Sequence, residues 1–145
     1  MPAPTYPGLS ELGARLRQQS HKLTGPRESI LNVLRAQPRP LSNQEIHATL
    51  SPGGCDLATV YRCLRLLERL GIVQRFDLGD GRARYELLRT GSEDHHHHLV
   101  CRSCSTVVEL EECFTREFEE SIARRTGFQA VTHRLEFFGV CPACQ

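Results

Sequence analysis

The feature that most constrains this chain is a run of four histidines that leads almost directly into a pair of cysteines. The histidines occupy residues 95–98, and Cys101 and Cys104 follow with two residues between them. A second pair with the same spacing consists of Cys141 and Cys144. Two such pairs supply four thiolates, the complete ligand set of a closed tetrahedral zinc site. The sequence therefore predicts a structural zinc ion (Zn2+) on these four cysteines.

Redox-active pairs are the main alternative for these cysteines. Such pairs usually sit in a thioredoxin-like βαβ pattern, and no such pattern surrounds either pair here. The sequence also has neither a signal-peptide pattern nor an apolar run of the roughly 18–20 residues that a membrane helix needs. We therefore expect reduced thiols with bound zinc in a soluble, cytoplasmic protein that has no membrane partner.

The histidine run predicts further metal sites, because imidazole binds zinc, iron, copper and nickel alike. In an extended strand, successive side chains alternate between the two faces. His96 and His98 would then share one face, whereas His95 and His97 would share the other. One strand could therefore contribute ligands to two different metal centres.

Residues elsewhere in the chain could complete these two faces. Glu86 and Glu109 are candidates for the face of His96 and His98, and His133 is the candidate for the opposite face. Cys113 and His47 stay open as further ligands, although a structural thiol and a surface histidine are the simpler interpretations.

The first half of the chain has the pattern of several helices followed by a β-hairpin. Ser42 and Glu45 form a capping box, and Asp56 can cap a longer amphipathic helix. An Asp-Gly turn at residues 79–81 separates two semi-apolar runs, the signal of a hairpin. This order predicts a winged helix-turn-helix, in which the helix after the turn enters the DNA major groove. That helix exposes a partly basic face, which could otherwise be an ordinary solvated surface: Thr59, Arg62, Arg65 and Arg69.

The second half predicts a small α/β unit that dimerises. We expect strands over His97–Cys101, Thr106–Leu110 and Ala130–Gly139 and a helix over Glu111–Thr126. An exposed strand edge and aromatic surface would favour pairing of two copies. The expected fold class is α+β, with a winged-helix domain at 1–88 (1–8 a flexible arm), a hinge at 89–94 and a dimerisation domain at 95–145.

Four segments, taken together, resemble the ferric uptake regulator (Fur) family: Leu57–Arg62, Gly79–Glu86, His95–Cys104 and His133–Cys144. The resemblance extends from about Leu16 to the end of the sequence. It implies a homodimeric, metal-dependent transcription factor that binds a partly palindromic site in double-stranded DNA. A structural zinc and one or two regulatory metals also come with the family.

The resemblance implies roles for three sets of residues. Those that match DNA-contacting positions, with Thr59 beside them on the helix face, are Lys22, Arg27, Tyr61 and Arg62. Those that match the regulatory metal site at the hinge are Glu86, His96, His98 and Glu109. Those that match a second metal site in the dimerisation domain are His95, His97 and His133.

The sequence departs from the family pattern at three places. Iron sensors usually draw a histidine from the loop where this chain has Arg39 and Pro40, and actinobacterial zinc sensors place a cysteine where it has Leu87 and Leu88. The carboxylate usual in the second site aligns with Arg116, with Glu117 only adjacent. The fourth ligand at the hinge therefore stays open between Glu109, His47, a cysteine and water.

The continuous histidine run and the segment Glu111–Cys113 resemble the zinc uptake regulator (Zur) branch of the family. Imidazole and thiolate favour zinc over iron, which accepts harder oxygen ligands. We expect a zinc-sensing regulator of zinc uptake genes, with sensing of iron(II) (Fe2+), manganese (Mn2+) or peroxide as alternatives. A zinc enzyme is disfavoured because the sequence has no His-Glu-x-x-His motif, and a metal buffer would not need the basic helix.

Overall fold

The computed structural model of the chain describes residues 6–37, 39–50, 52–89, 96–110 and 115–145. The chain divides into two compact units, Met1–Asp94 and His95–Gln145. Helices and two separate three-stranded sheets confirm the expected α+β class. Within the described ranges, no helix is both long and apolar enough to cross a membrane.

The described part of the N-terminal unit contains four helices and three strands. The helices are α1 (Leu9–Gln18), α2 (Gly25–Ala36), α3 (Asn43–Thr49) and α4 (Leu57–Arg69). The strands are β1 (Leu41–Ser42), β2 (Val73–Asp77) and β3 (Ala83–Leu87), arranged as an antiparallel sheet in the order β1-β3-β2. The short β1, which the sequence analysis missed, joins the segment before α3 to the hairpin.

Polar caps fix where α3 and α4 begin. The Ser42 hydroxyl accepts a hydrogen bond from the Glu45 amide at 3.2 Å, and the Glu45 carboxylate accepts one from the Ser42 amide at 2.7 Å, which confirms the capping box. Asp56 accepts from the Thr59 amide at 2.8 Å. These caps satisfy amides that would otherwise have no partner in the first turn of each helix.

The amphipathic pattern of α4 determines which of its faces is available to partners. Its buried side contributes Val60, Leu64 and Leu67 to a core shared with the other helices and the hairpin. Burial of each such side chain contributes roughly 1.5–3 kcal/mol, so the helix has one favoured orientation. The opposite side, which includes Arg62 and Arg65, is consequently left exposed.

The hairpin of β2 and β3, called the wing below, has a turn held by carboxylates. Asp77 accepts a hydrogen bond from the Gly79 amide, and Asp80 accepts one from the Arg82 amide, both at 3.1 Å. Asp80 also forms a two-point ion pair with the buried Arg84, at 2.6 and 2.9 Å. The Arg84 guanidinium holds the pKa of Asp80 at about 2. The wing is therefore held by a charge pair that stays intact near neutral pH.

Asp80→Asn is expected to destabilise the protein near neutral pH and to lose that effect in acid. Because the folded pKa of about 2 lies below the ordinary value of 3.8, the carboxylate stabilises the fold above pH 4. That stabilisation decreases as the pH falls from about 4 towards 2. Urea unfolding of wild type and variant across this range measures the difference.

Asp77→Asn is the matched control for this measurement, because Asp77 bonds to the same turn without the Arg84 pair. A difference between wild type and Asp80→Asn that stayed constant down to pH 2 would contradict the role of the ion pair.

The C-terminal unit is built around a central strand that carries the histidines. The described elements are β4 (His97–Cys101), β5 (Val107–Leu110), α5 (Arg116–Thr126), β6 (Glu136–Gly139) and a short 3-10 helix, Pro142–Cys144. The sheet order is β5-β4-β6, with β4 antiparallel to β5 and parallel to β6. The predicted strand at His97–Cys101 and the helix end at Gly127, a left-handed C-cap, are confirmed.

Two predicted boundaries in this unit are wrong. The strand expected from Ala130 begins only at Glu136, because Ala130 adopts a left-handed conformation with φ of 52°, which does not fit a strand. His133 therefore lies in the irregular segment before β6 rather than within a strand. The helix expected from Glu111 begins at Arg116, and residues 111–114 lie outside the described ranges.

Candidate metal centres and nucleic-acid interface

The fold brings the two cysteine pairs together. Cys101 ends β4 and Cys104 lies in the turn that follows, whereas Cys141 and Cys144 come directly after β6. Since β4 and β6 are parallel neighbours, with Cys101 opposite Gly139, the segments after both strands emerge at the same end of the sheet. The sheet thus brings the two cysteine pairs, which are far apart in sequence, close to each other.

The geometry of the four thiols fits a zinc ion. All four sulfur atoms lie within 4.8 Å of one another, and the Sγ atoms of Cys104 and Cys141 are 3.6 Å apart. A tetrahedral ion with Zn–S bonds of about 2.3 Å would place its sulfurs about 3.8 Å apart. The site therefore needs little rearrangement to take up the ion.

The thiols are not equivalent in charge. The Cys141 amide, 3.3 Å from the Cys101 sulfur, and the Cys104 amide lower the pKa of Cys101 to about 6. The Thr106 hydroxyl lowers the pKa of Cys104. By contrast, the neighbouring thiols of Cys141 and Cys104 raise the pKa of Cys144 to about 12. A cation among the sulfurs would stabilise the thiolate form of all four cysteines, and its binding would release protons.

A second group of donors forms around His97 and His133. Their Nε2 atoms lie 3.2 Å apart. Nδ1 of His97 faces the carbonyl oxygen of Leu135 at 3.2 Å, and Nδ1 of His133 faces a carboxylate oxygen of Glu119 at 2.7 Å. If each Nδ1–H donates to its oxygen, both Nε2 atoms carry a lone pair; the Thr115 hydroxyl also lies within 2.9 Å of both ring nitrogens of His133.

This arrangement is the usual support for metal-binding histidines, in which the second ring nitrogen donates to a carboxylate or carbonyl. Two nitrogens bound to one tetrahedral zinc would be about 3.3 Å apart, close to the separation of the two Nε2 atoms. The Thr115 hydroxyl lies 2.8 Å from Nε2 of His133, so a bound ion would replace that contact. His95, the third predicted ligand, lies outside the described residues.

Glu119 is a candidate site residue that was not predicted from the sequence. The family resemblance pointed to Arg116, with Glu117 only adjacent, but the carboxylate that contacts His133 lies one helical turn after Arg116. Residues three apart share a helix face, so the period of α5 was the signal that could have identified it.

The other histidine face combines His96 and His98. Their rings meet edge to face, with centroids 5.0 Å apart. In the sheet, His98 lies opposite Glu109 on β5 and opposite Glu136 on β6, whose carboxylate lies 3.5 Å from Nε of Arg134. Glu136 was not predicted, because the parallel pairing of β4 with β6 could not be derived from the sequence.

The remaining ligand candidates lie in the N-terminal unit. Glu86 is buried in β3, where it pairs with Gln74 of β2. His47 is exposed in the last turn of α3. Arg39, which stands where iron sensors have a histidine, bonds to the Glu45 carboxylate at 3.0 Å and so supports the capping of α3. Leu87 is fully buried in the core. Neither Arg39 nor Leu87, which stand at two of the departures from the family pattern, has a side chain that binds metal.

The predicted DNA-contacting residues lie on α4 and beside α2. Tyr61 and Arg62 are exposed, and Arg62 donates a hydrogen bond to the Thr59 hydroxyl at 2.9 Å. Lys22 is exposed before α2, and Arg27 donates to its carbonyl oxygen, which ties the Lys22 backbone to that helix.

Charge is distributed unevenly between the two units. Residues 1–94 contain 13 basic and 10 acidic residues, whereas residues 95–145 contain 5 basic and 7 acidic ones. The overall charge of +1 therefore conceals an N-terminal unit of charge +3, the sign expected of a surface that meets nucleic acid.

Comparisons with known proteins cover nearly the whole chain. Residues 18–138 match the ferric uptake regulator family. The ferric uptake regulation protein of Bacillus subtilis is 37% identical over 139 residues, covering 94% of this chain and 93% of the relative. The peroxide-responsive repressor PerR of Staphylococcus aureus is 32% identical over 139 residues, covering 94% and 91%. The crystal structure of the ferric uptake regulator of Vibrio cholerae superposes with a TM-score of 0.76 at 34% identity, covering 90% of this chain and 99% of that one.

Proposed function

This chain belongs to the ferric uptake regulator family of metal-responsive transcriptional regulators, and from that premise we propose that it senses zinc and represses genes of zinc uptake. The names of its relatives refer to ferric uptake and to peroxide, so the choice of metal depends on the residues of this chain. The observation that carries the proposal is the pair of imidazoles of His96 and His98, whose ring centroids lie 5.0 Å apart. Nitrogen and sulfur donors favour zinc over iron.

We assign three metal sites under this proposal. The four cysteines hold a structural zinc, and His95, His97 and His133 hold a second ion with Glu119 as the orienting carboxylate. The regulatory ion takes the face of His96 and His98. Its further ligands are Glu109 and Glu86, which both match the hinge site of the family; Glu109 is the cross-strand partner of His98.

A second candidate metal is supported by one observation. The cross-strand neighbours of His98 are two glutamates, Glu109 and Glu136, and carboxylate oxygen suits manganese and, together with histidine, iron(II). Sensing of iron or manganese is therefore the alternative that an experiment has to separate from zinc sensing.

The protein acts on DNA as a homodimer in this proposal. Phe118 and Phe128 are 63% and 72% exposed in the single chain, and a second copy would cover such aromatic surface. Two copies related by a two-fold axis would present two α4 helices to a partly palindromic operator, each in the major groove.

DNA binding at buffered concentrations of zinc, iron(II) and manganese tests the proposal. The operator is first selected from random duplexes with zinc-loaded protein, and affinity is then measured by fluorescence anisotropy. We expect zinc to tighten operator binding at a lower free metal concentration than iron(II) or manganese requires. Arg62→Ala should weaken binding by about 1–3 kcal/mol and relax specificity at one base pair.

Arg35→Ala is the matched control, because Arg35 is an exposed arginine on α2 outside the predicted contact set. Tightening by iron(II) or manganese but not by zinc would replace the proposed metal. Equal affinity of the apo and metal-loaded protein for every duplex would contradict regulation by metal altogether.

A further inference from the structure

The junction between α4 and the wing is a three-residue turn held by its own backbone. Leu70 caps the end of α4, and Gly71 after it adopts a left-handed conformation with φ of 66°. The Gly71 amide donates a hydrogen bond to the Glu68 carbonyl at 3.0 Å. The Ile72 amide donates one to the Leu67 carbonyl at 2.9 Å. These two bonds form a Schellman motif, which satisfies carbonyl groups at the end of a helix.

A side chain of α1 reaches this junction. Nη2 of Arg15 donates a hydrogen bond to the carbonyl oxygen of Gly71 at 2.9 Å, although the two residues are 56 positions apart in sequence. The guanidinium also brings a positive charge to the C-terminal end of α4, where the helix dipole is negative. Arg15 therefore joins a helix outside the helix-turn-helix to the point where the chain leaves α4.

The helix that carries Arg15 is anchored in the core of the N-terminal unit. Leu12 and Leu16 of α1 are fully buried, in the same hydrophobic cluster as Leu64 and Leu67 of α4. This packing fixes the backbone of α1 on both sides of Arg15. The arginine consequently extends from a rigid support, and its half-buried side chain has limited freedom to move away.

The bond from Arg15 acts on a peptide group that is also held from its other side. The Gly71 carbonyl and the Ile72 amide belong to one planar peptide group. Arg15 binds the oxygen of this group, and the Leu67 carbonyl accepts its hydrogen. Two different helices thus fix the orientation of one rigid plane.

The next peptide group is tied to the base of the wing. The carbonyl oxygen of Ile72 accepts a hydrogen bond from the Leu88 amide at 3.0 Å, and Leu88 directly follows β3. Val73 then begins β2 and pairs with Leu87. A rotation of the peptide group between Gly71 and Ile72 would therefore change the direction in which the hairpin leaves α4.

We propose that Arg15 is a positioning residue for DNA binding, which fixes the wing relative to α4 by holding the Gly71 carbonyl. This inference rests on the proposed DNA-binding function and gives α1 a part in it without a contact to DNA. When α4 lies in the major groove, the wing beside it has to fit the same duplex. If the angle between them varied, more conformational freedom would be lost on binding, and affinity would fall.

Hydrogen exchange of backbone amides in the metal-loaded protein, without DNA, tests whether Arg15 holds the junction. Arg15→Ala should accelerate exchange of the Ile72 and Leu88 amides by about threefold to tenfold, the loss expected for one hydrogen bond. The Leu31 amide, in the middle of α2, should exchange as in wild type. Faster exchange at Leu31 as well would indicate general destabilisation and would overturn the inference.

Operator affinity over a series of salt concentrations tests the consequence for DNA binding. Arg15→Ala should weaken binding to the selected operator by about threefold to tenfold. The slope of log affinity against log salt should stay the same, because no contact to phosphate is lost. Arg15→Lys keeps the charge and a donor that can reach the Gly71 carbonyl, so we expect it to restore most of the affinity.

Arg17→Ala is the matched control for both measurements. Arg17 is an exposed arginine in the last turn of α1, so its loss removes the same charge from the same helix and leaves the bond of Arg15 intact. Neither amide exchange nor operator affinity should change in this variant. The thermal unfolding midpoint of each variant verifies that the fold is intact.

Different outcomes separate this inference from the function on which it rests. If wild type binds no DNA with any metal, the proposed function fails, and the role of Arg15 in DNA binding fails with it. If wild type binds the operator and Arg15→Ala leaves either amide exchange or affinity unchanged, the positioning role is wrong while the function stands. A flatter salt slope in Arg15→Ala, with an equal loss of affinity in Arg17→Ala, would also overturn the inference, since it would show that α1 contributes charge rather than orientation.

Discussion

Cys104→Ser is expected to remove one tightly bound zinc per chain and to unfold much of the C-terminal unit. Cys104 belongs to a quartet whose sulfurs lie within 4.8 Å of one another, and an oxygen replacement leaves only three thiolates for the ion. Structural zinc contributes on the order of 10 kcal/mol in small zinc-dependent folds. The unit is small, so we expect its thermal transition to fall by more than about 10 °C or to disappear.

The measurement combines metal analysis of the purified protein with thermal unfolding and with sedimentation to follow the dimer. Cys55→Ser is the matched control, because Cys55 is a partly buried thiol of the N-terminal unit outside the quartet. Wild-type zinc content together with an unchanged thermal midpoint in Cys104→Ser would refute the four-thiolate site.

His96→Ala is expected to abolish the response of DNA binding to metal while it preserves the structural zinc and the dimer. His96 is half-buried beside His98 at the start of β4, away from the thiols at the other end of that strand. A metal acts by its differential affinity for the binding-competent conformer. A shift from 1:99 to 99:1 needs roughly 5.5 kcal/mol of such preference, which a site short of one ligand would not supply.

His133→Ala is the comparison variant that distinguishes the two histidine faces. His133 is also half-buried, and it faces His97 rather than His98. We expect a smaller effect on the metal response, because all its described contacts lie within the C-terminal unit. Operator affinity with and without excess zinc, together with zinc bound per chain, is measured for both variants. A full zinc response in His96→Ala and none in His133→Ala would identify the other histidine face as the sensor.

Local signals account for the parts of the fold that the sequence predicted. The capping box at Ser42, the cap at Asp56 and the Asp-Gly turn of the wing each depend on interactions within a few residues. The three arginines predicted for the outer face of α4, Arg62, Arg65 and Arg69, are likewise exposed. Such features are encoded where they occur, so one sequence is enough to find them.

The features that the sequence did not predict depend on contacts between distant segments. The strand β1 has two residues and exists because β3 offers it a partner. Glu136 is placed beside His98 by a parallel pairing across 38 residues, and Glu119 is placed by the packing of α5 near His133. The alternation of side chains along the histidine run indicated which histidines share a face. It could not indicate which residues of the neighbouring strands lie opposite them.

The position of Cys101 at the end of β4 has a consequence for the histidines before it. A slip of the strand by one residue exchanges its faces, and because the four histidines are consecutive, an imidazole would still occupy three of the four histidine positions. The histidines alone therefore distinguish the correct alignment of β4 from a shifted one only weakly. Cys101 distinguishes the two alignments strongly, because a shift would take its sulfur away from the other three thiols. Under the proposed assignment, a zinc ion on the four cysteines would therefore also fix which histidine faces which metal site. The insertion or deletion of one residue between His98 and Cys101 should consequently disturb both histidine faces at once, whereas a substitution such as His96→Ala disturbs one of them.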